Sequence, residues 1–154
     1  MLRTSFALAL HILGATVWVG GMFAAYVCLR PAAGSLEGPQ RLRLWRNFFA
    51  KFFPWVWVSV LLLLASGYWM LVTSFGGFAH APLYINLMQA ISWVMIALFA
   101  WLFFVPWREF KFHIDAEKWS AAGANLARID KINLVNLLLG IIAVVTGSTG
   151  PYWQ

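Results

Sequence analysis

The chain has 154 residues, of which 62% are hydrophobic and only 10% charged, and it carries a net charge of +6. Ordinary soluble proteins contain roughly 25% charged residues, and a soluble fold could not bury so much apolar surface, whereas a bilayer can surround it. The positive charge would suggest nucleic acid in a soluble domain, but here it is confined to two stretches between apolar runs, which argues against a nucleic-acid partner. The single cysteine, Cys28, excludes an intrachain disulfide.

Four apolar segments are long enough to cross a membrane, since a spanning helix needs about 20 mostly apolar residues. They lie at residues 4–29, 53–73, 83–107 and 130–149. The first exceeds the apolar region of a signal peptide, which is roughly 7–15 residues long, and is therefore interpreted as a helix. The sequence predicts an all-α integral membrane four-helix bundle that forms a single transmembrane domain over residues 1–154.

The first span contains small residues at helical spacing. Gly20 and Ala24 form one small-x-x-x-small pair, and Gly21 and Ala25 form a second. Such pairs let another helix approach closely, which in lipid is a main source of packing energy. The approaching helix could belong to the same bundle or to a second copy, so a homodimer or a larger membrane complex is one expectation.

His11 also lies in the first span, in its half nearer the N-terminus. Ionisable residues inside a membrane are costly and are candidates for function. Gly14, Trp18 and Met22 follow His11 at spacings of three and four, so they share its helical face. Gly14 leaves space one turn from the imidazole that could hold a metal, a porphyrin edge or another helix.

The basic segment at residues 30–52 contains an amphipathic stretch. From Pro39 onward, its apolar face consists of Leu42, Trp45, Phe49 and Phe52. Basic residues lie largely off that face, which is typical of a short interfacial helix lying on a membrane surface. Pro54 is expected to kink the chain where the second span begins.

The basic segment at residues 108–129 shows the same pattern. Asp115 is a candidate N-cap. The apolar face that follows consists of Trp119, Ala122, Leu126 and Ile129. This second interfacial helix is expected to run directly into the fourth span, where Asn133 and Asn136 share a face suited to hydrogen bonds between helices.

The distribution of basic residues predicts the orientation in the membrane. Ten of them lie in the two basic segments and at the start of the fourth span: Arg30, Arg41, Arg43, Arg46, Lys51, Arg108, Lys111, Lys118, Arg128 and Lys131. The opposite side carries only Arg3. The positive-inside rule therefore predicts that residues 30–52 and 108–129 are cytoplasmic and that both termini lie on the other face. The basic segments are also expected to contact anionic lipid of the inner leaflet.

Three further residues are expected at a depth close to that of His11. His80 lies in the short outer loop, Met70 ends the second span and Met88 lies in the third. Imidazole and thioether groups suit Cu(I), because soft donors match a soft ion. A simpler interpretation is that a hydroxyl, a carbonyl or the amide of Gln89 satisfies His11 and that the methionines fill gaps in an apolar core.

Enzyme signatures are absent from the sequence. It contains no glycine-rich phosphate loop and no nucleophile elbow, and its spans hold no paired carboxylates. This pattern favours a protein without catalytic residues. It also argues against a proton-coupled transporter built on carboxylates.

The stretch His11-Ile-Leu-Gly-Ala-Thr-Val-Trp-Val-Gly-Gly resembles the first-helix signature of the CopD-like copper resistance membrane proteins. The runs Phe53-Pro-Trp-Val-Trp and Ser66-Gly-Tyr-Trp-Met are similar to the second helix of the short, four-helix members of that family. The resemblance implies a bacterial inner-membrane protein associated with copper binding, transport or resistance, with its termini in the periplasm.

Residue by residue, this resemblance supports His11 together with Trp18, Gly20 and Gly21. Many relatives carry another histidine after the paired glycines or in the third helix. This chain has Met22 at the first of those places and Trp101 at the second.

A second resemblance is to the HemJ-like protoporphyrinogen oxidases, which are small four-helix membrane proteins with a histidine early in the first helix. It implies that the protein binds haem b, with His11 as an axial ligand. A bis-histidine haem needs two imidazoles placed across a common cavity. His80 is the other histidine on the same side of the membrane.

Three functions are therefore expected as alternatives. In the first, the protein is a non-enzymatic, copper-associated membrane protein with His11 as the central ligand and Met88, Met70 and His80 as its partners. In the second, it is a haem-b redox protein in which His11 is an axial ligand. In the third, it is a structural or assembly subunit of a membrane complex, and His11 only hydrogen-bonds across helices.

Overall fold

The structure is a computed structural model that describes residues 2–153. In this range it contains helices and no strand. The long helices are α1 (Leu2–Phe23), α2 (Gly38–Phe75), α3 (Leu83–Phe104), α4 (Pro106–Asp115) and α5 (Trp119–Thr149). Gln154, the end of the predicted outer tail, lies outside the described residues.

Four helical stretches are long and apolar enough to cross a membrane, each including the short turns that continue a long helix. They are Arg3–Ser35, Gly38–Phe75, Leu83–Asp115 and Trp119–Tyr152. The predicted all-α membrane bundle of four spanning helices is confirmed, and the chain is a multi-pass membrane protein.

The first span extends beyond α1. It continues as a π-helical segment, Ala24–Leu29, and then as one α-helical turn, Arg30–Ala32. A π-helical segment has a wider turn than an α-helix and commonly occurs as a local insertion near functional sites. No pattern in the sequence predicts this π-helical segment. Its consequence is to carry the helical chain as far as Arg30, at the basic end of the bundle.

The amphipathic stretch predicted in the first basic segment is helical, but it is the beginning of α2 and not a separate interfacial helix. α2 has 38 residues and includes Pro54. At 1.5 Å per residue it is about 57 Å long, whereas the apolar part of a bilayer is about 30 Å thick. The first turns of α2 therefore extend past the membrane core, and their apolar face packs on the bundle through Leu42, Trp45 and Phe49.

The third predicted span, residues 83–107, is interrupted near its end, because α3 ends at Phe104 and the helix breaks at Val105 before Pro106. Val105 has φ −116° and ψ −80°, and a proline disfavours the helical conformation of the residue before it. α4 then starts at Pro106 and buries Trp107, Phe110 and Ile114. α4 is a short amphipathic helix in the second basic segment. It precedes the helix that was predicted there, for which Asp115 was the candidate N-cap.

The prediction that an amphipathic helix continues directly into the fourth span is confirmed, since α5 is one continuous helix. Its first turns bury Ala122, Leu126 and Ile129. Asp115, however, does not cap this helix. It is the last residue of α4, and Lys118 occupies the position before α5. Asp115 instead accepts a hydrogen bond from Arg46 Nη2 at 2.8 Å, which ties α4 to α2.

The bundle consists of two helix pairs joined by α5. α1 packs along α2, α3 packs along α5, and α5 also contacts α1 and α4. The predicted hydrogen bonding of the fourth span is confirmed at Asn136, whose Nδ2 donates to the Met95 carbonyl at 3.3 Å. The Asn136 side chain is 1% exposed, so this bond connects α5 to α3 inside the core.

An aromatic core occupies the half of the bundle nearer the basic end. Phe49 and Phe53 stack with ring centres 4.9 Å apart, and Phe99 and Trp107 meet Phe53 edge-on at 5.5 and 5.3 Å. The buried residues of α3 are Met95, Phe99 and Leu102, all in its second half. In the opposite half of the bundle, which contains His11, α3 has no buried residue.

Ion pairs connect the helices at the basic end. Of the five acidic residues in the sequence, four pair with arginine within the described part of the chain. The pairs are Arg30–Asp130, Arg43–Glu117, Arg46–Asp115 and Arg128–Glu109, at 3.6, 3.8, 2.8 and 3.3 Å. Exposed pairs of this kind contribute at most about 1 kcal/mol each, so their main effect is to fix how α4 and α5 sit against α1 and α2.

Candidate functional site

His11 lies at the contact between α1 and α2. Its Nδ1 is 3.0 Å from Ser66 Oγ, and its ring packs against Gly67, where a Cβ atom would lie 3.2 Å from Cε1. Gly67 therefore lets α2 approach the imidazole closely. The side chain is half-buried.

The hydrogen bonds of Ser66 favour one tautomer of the His11 imidazole. Ser66 Oγ donates its single hydrogen to the Leu62 carbonyl at 2.5 Å, so toward His11 it can only accept. The Leu63 carbonyl also faces the imidazole as an acceptor. The tautomer that fits these acceptors carries its hydrogen on Nδ1 and leaves the lone pair on Nε2. Among the described residues, no donor meets Nε2.

This arrangement is the one that metal-binding histidines use. Such a histidine donates its second ring N–H to an acceptor, which fixes the tautomer and the ring orientation and leaves the other nitrogen free to ligate. In this protein Ser66 is the acceptor and Nε2 is the available ligand atom. The sequence did not identify Ser66, because nothing local to α1 indicates which residue of α2 lies opposite.

The space that Gly14 leaves beside His11 is occupied by α2. A Cβ at Gly14 would lie 3.2 Å from Leu63 Cγ and 3.3 Å from the Ser59 carbonyl oxygen. Of the three occupants considered for this space, the structure places another helix there. A porphyrin edge or a metal would have to approach His11 from a different side.

Met70 is the predicted thioether nearest in register to His11. It lies four residues after Ser66 and three after Gly67, so it shares their face of α2, which contacts α1. Its backbone is about 6 Å farther along the helix axis than that of Ser66. The side chain is half-buried.

Met88 lies at a different helix contact, between α3 and α5. A Cβ at Gly147 would be 2.9 Å from its sulfur. Two turns away, Met95 contacts Gly140 in the same manner, with its Cε 3.2 Å from the position of a Cβ. Each methionine thus fits against a glycine of α5, which is the gap-filling role that flexible thioether side chains commonly have.

His80 is exposed in the outer loop, at the end of the short helical turn Phe78–His80. This turn packs on α2 through Phe78 and Tyr68, whose ring centres are 5.9 Å apart. Gln89, the amide considered as a partner for His11, bonds elsewhere. Its Nε2 donates to Tyr68 Oη at 2.8 Å, and Trp93 Nε1 donates to the same oxygen at 3.3 Å.

Trp18 and Gly21, two further residues of the resemblance in α1, pack inside the bundle. Trp18 is 2% exposed, and its ring centre lies 6.0 Å from that of Phe99. Gly21 lies directly against the Phe52 ring, so a side chain there would clash with α2. Gly20, in contrast, has nothing within 4 Å of a Cβ position and faces outward.

The ligand types available restrict the metal. In the described part of the chain, no three residues among the His, Cys, Asp and Glu side chains lie close enough together to hold a metal ion. Zinc sites take three or four ligands, almost always of these types. A site at His11 would therefore have to combine imidazole with methionine thioethers, and both are donors suited to Cu(I).

Comparison with protein families gives a match to the family of copper resistance protein D, CopD, over residues 46–149. The match covers about two thirds of the chain. The chain belongs to the CopD family. The comparisons with curated proteins and with solved structures found no match.

The matched region of this CopD-family chain contains most of α2 and all of α3, α4 and α5. The predicted resemblance to the short, four-helix CopD form is confirmed, and the protein is a membrane protein of a family associated with copper resistance. α1 precedes the match. His11 thus lies outside it, while its hydrogen-bond partner Ser66 lies within it.

Proposed function

We propose that this protein binds Cu(I) in the outer half of the bundle, with Nε2 of His11 as the central ligand. The observation that carries the proposal is the 3.0 Å contact between His11 Nδ1 and Ser66 Oγ, which fits a tautomer with its hydrogen on Nδ1 and a free lone pair on Nε2. The CopD membership supports copper as the metal. The His11 side chain is only half-buried and lies away from the aromatic core, so a metal ion can approach it.

Met70 is proposed as the thioether partner of His11, because it follows Ser66 by four residues and Gly67 by three, and this spacing puts it on the side of α2 that meets His11. His80 can add a second imidazole from the outer loop, where it is exposed. Met88 is the weakest of the proposed ligands, since its sulfur lies at the contact with Gly147. Cu(I) is satisfied by few soft ligands, so one imidazole and one thioether form a reasonable minimum set.

The proposed membrane is the bacterial inner membrane, with both termini in the periplasm and the basic segments in the cytoplasm. Ten basic residues at one end against Arg3 at the other support this orientation. A reporter that is active only in the periplasm should be active when fused after Gln154. It should be inactive when inserted between Gly34 and Ser35, and the reverse pattern would overturn the orientation and place His11 near the cytoplasm.

Copper binding should weaken when the acceptor of the His11 proton is removed. In Ser66→Ala the Cu(I) affinity is expected to fall about 10–100-fold, the usual effect of losing a residue that orients a metal ligand. The loss should be partial because the Leu63 carbonyl still faces the ring. The measurement is competition against a chromophoric Cu(I) chelator with protein purified in mild detergent.

Two variants serve as controls for Ser66→Ala. Ser66→Thr keeps a hydroxyl at the same place and should retain most of the affinity. Ser92→Ala removes a hydroxyl that bonds only within its own helix, to the Met88 carbonyl at 2.8 Å, and should bind as the unmodified protein does. Unchanged Cu(I) affinity in Ser66→Ala would contradict the proposal that Ser66 orients His11 for metal binding. A Soret band in the purified protein would favour haem over copper.

A further inference from the structure

A cavity lies at the basic end of the bundle, away from His11. Its volume is about 520 Å³, which is within the usual range of small-molecule sites. It opens between the beginning of α2 and the beginning of α5, beside the connection from α1. The residues that give it its chemistry are Arg30, Arg41, Trp45, Trp119 and Asp130.

Two arginines and one carboxylate leave this cavity positively charged. Arg30 is held on one side by Asp130, with Nε 3.6 Å from Oδ2, and its guanidinium lies 4.9 Å from the centre of the Tyr26 ring. These contacts leave its terminal amino groups available. Arg41 forms no ion pair and no side-chain hydrogen bond with any residue that the structure describes. Guanidinium groups bind phosphate and carboxylate in two-pronged hydrogen bonds, so an anion fits here.

The depth of the cavity favours a lipid headgroup. Arg30 directly follows the first apolar span and Asp130 begins the fourth, so the cavity lies where the spans end. Trp45 and Trp119 form aromatic walls, and indole rings are enriched at the membrane–water interface. Arg43 lies over the Trp119 ring at 5.3 Å. Apolar and indole walls suit the glycerol part of a lipid, whereas a free phosphate ion would gain nothing from them.

Three glycines keep the cavity open. Gly34, Gly38 and Gly123 line it, and a Cβ at any of them would meet no atom within 4 Å. Close packing therefore does not require glycine at these positions. A larger side chain at Gly123 would project into the empty volume and would not clash with a neighbouring helix.

We propose that this cavity binds the phosphate group of an anionic phospholipid, with Arg30 and Arg41 as its ligands. Asp130 orients Arg30. Because Gly34, Gly38 and Gly123 have no side chains, the headgroup has room to enter between α2 and α5. The bound lipid contacts both α2 and α5, which belong to different helix pairs of the bundle. This site goes beyond the proposed copper site and does not depend on it.

The test counts the lipid that stays bound. The full-length protein is placed in vesicles of phosphatidylcholine and phosphatidylglycerol, extracted in mild detergent and examined by native mass spectrometry. The unmodified protein should retain one phosphatidylglycerol. Arg41→Gln should weaken retention about fivefold, the usual worth of one basic residue near anionic lipid. Gly123→Leu should abolish it by filling the cavity, while leucine also favours the helix more than glycine does.

Gly20→Leu is the matched control, because Gly20 is also a helical glycine with open space beside it but faces outward from α1. It should retain the lipid. Equal retention in all these proteins would overturn the proposal, as would equal retention of phosphatidylcholine and phosphatidylglycerol. If inorganic phosphate displaces the lipid and binds with the same dependence on Arg41, the ligand is free phosphate and the lipid assignment is wrong. Arg41 is exposed, so its variant tests the site even if Gly123→Leu fails to fold.

Discussion

Replacing His11 with alanine is expected to abolish stoichiometric Cu(I) binding while the bundle still folds. Nε2 of His11 is the one imidazole nitrogen that the contact between α1 and α2 offers, and the thioether of Met70 alone would hold the ion weakly. The substitution leaves no buried donor without a partner, because Ser66 keeps its hydrogen bond to the Leu62 carbonyl. The measurement is copper per chain after loading with Cu(I) under reducing conditions and removal of excess metal.

His113→Ala is the control for this experiment, since it removes the same side chain from α4 at the opposite end of the bundle. It should retain the copper content of the unmodified protein. Copper that persists in His11→Ala, or that disappears equally in both variants, would contradict the proposed site. A Soret band that disappears in His11→Ala alone would assign the histidine to haem.

The largest loss of stability is expected from Phe53→Ala. Phe53 is 1% exposed and touches rings from three helices: Phe49 in α2, Phe99 in α3 and Trp107 in α4. Truncating a buried phenylalanine leaves a cavity that close-packed neighbours fill only partly, which costs about 3–5 kcal/mol. The unfolding free energy should fall by that amount, as measured by reversible unfolding in detergent.

Trp55→Ala provides the comparison for Phe53→Ala within the same helix. Trp55 has a larger ring but is 61% exposed on the outside of the bundle, so its removal creates no internal cavity. Its effect should stay within about 0.5 kcal/mol, as for most surface substitutions. A similar loss in the two variants would show that the aromatic core does not determine the stability of the bundle.

The sequence alone predicts the spanning helices and the end of the bundle at which the basic residues collect, because both depend on local patterns. A run of about 20 apolar residues has few alternatives to a membrane helix, and the apolar spacing of Ala122, Leu126 and Ile129 correctly predicted the face that α5 buries. The predicted buried face of the first basic segment, in contrast, included Phe52. Phe53, and not Phe52, continues the buried face of α2, because the face rotates slightly with each turn of a 3.6-residue helix.

The composition of the candidate site depended on contacts that no local pattern contains. His11 was a candidate from its position in a span, but its partner proved to be Ser66, 55 residues away, while Gln89 bonds to Tyr68. Met70 and Met88 were expected at similar depths, and depth alone does not tell which pair of helices each methionine lies between. Met70 lies one helical turn after Ser66 in α2, and the sulfur of Met88 lies against Gly147 of α5.

The sequence by itself therefore determined the class of the protein, the number of its spans and the segregation of its charges, since hydrophobicity and charge act on each segment separately. The tertiary structure decided the neighbours of His11, among them Ser66 beside its Nδ1, and the charged cavity lined by Arg30 and Arg41. Each of these depends on which helices lie side by side. That arrangement is set by packing between segments far apart in the chain, at close contacts such as Gly67 and Gly21.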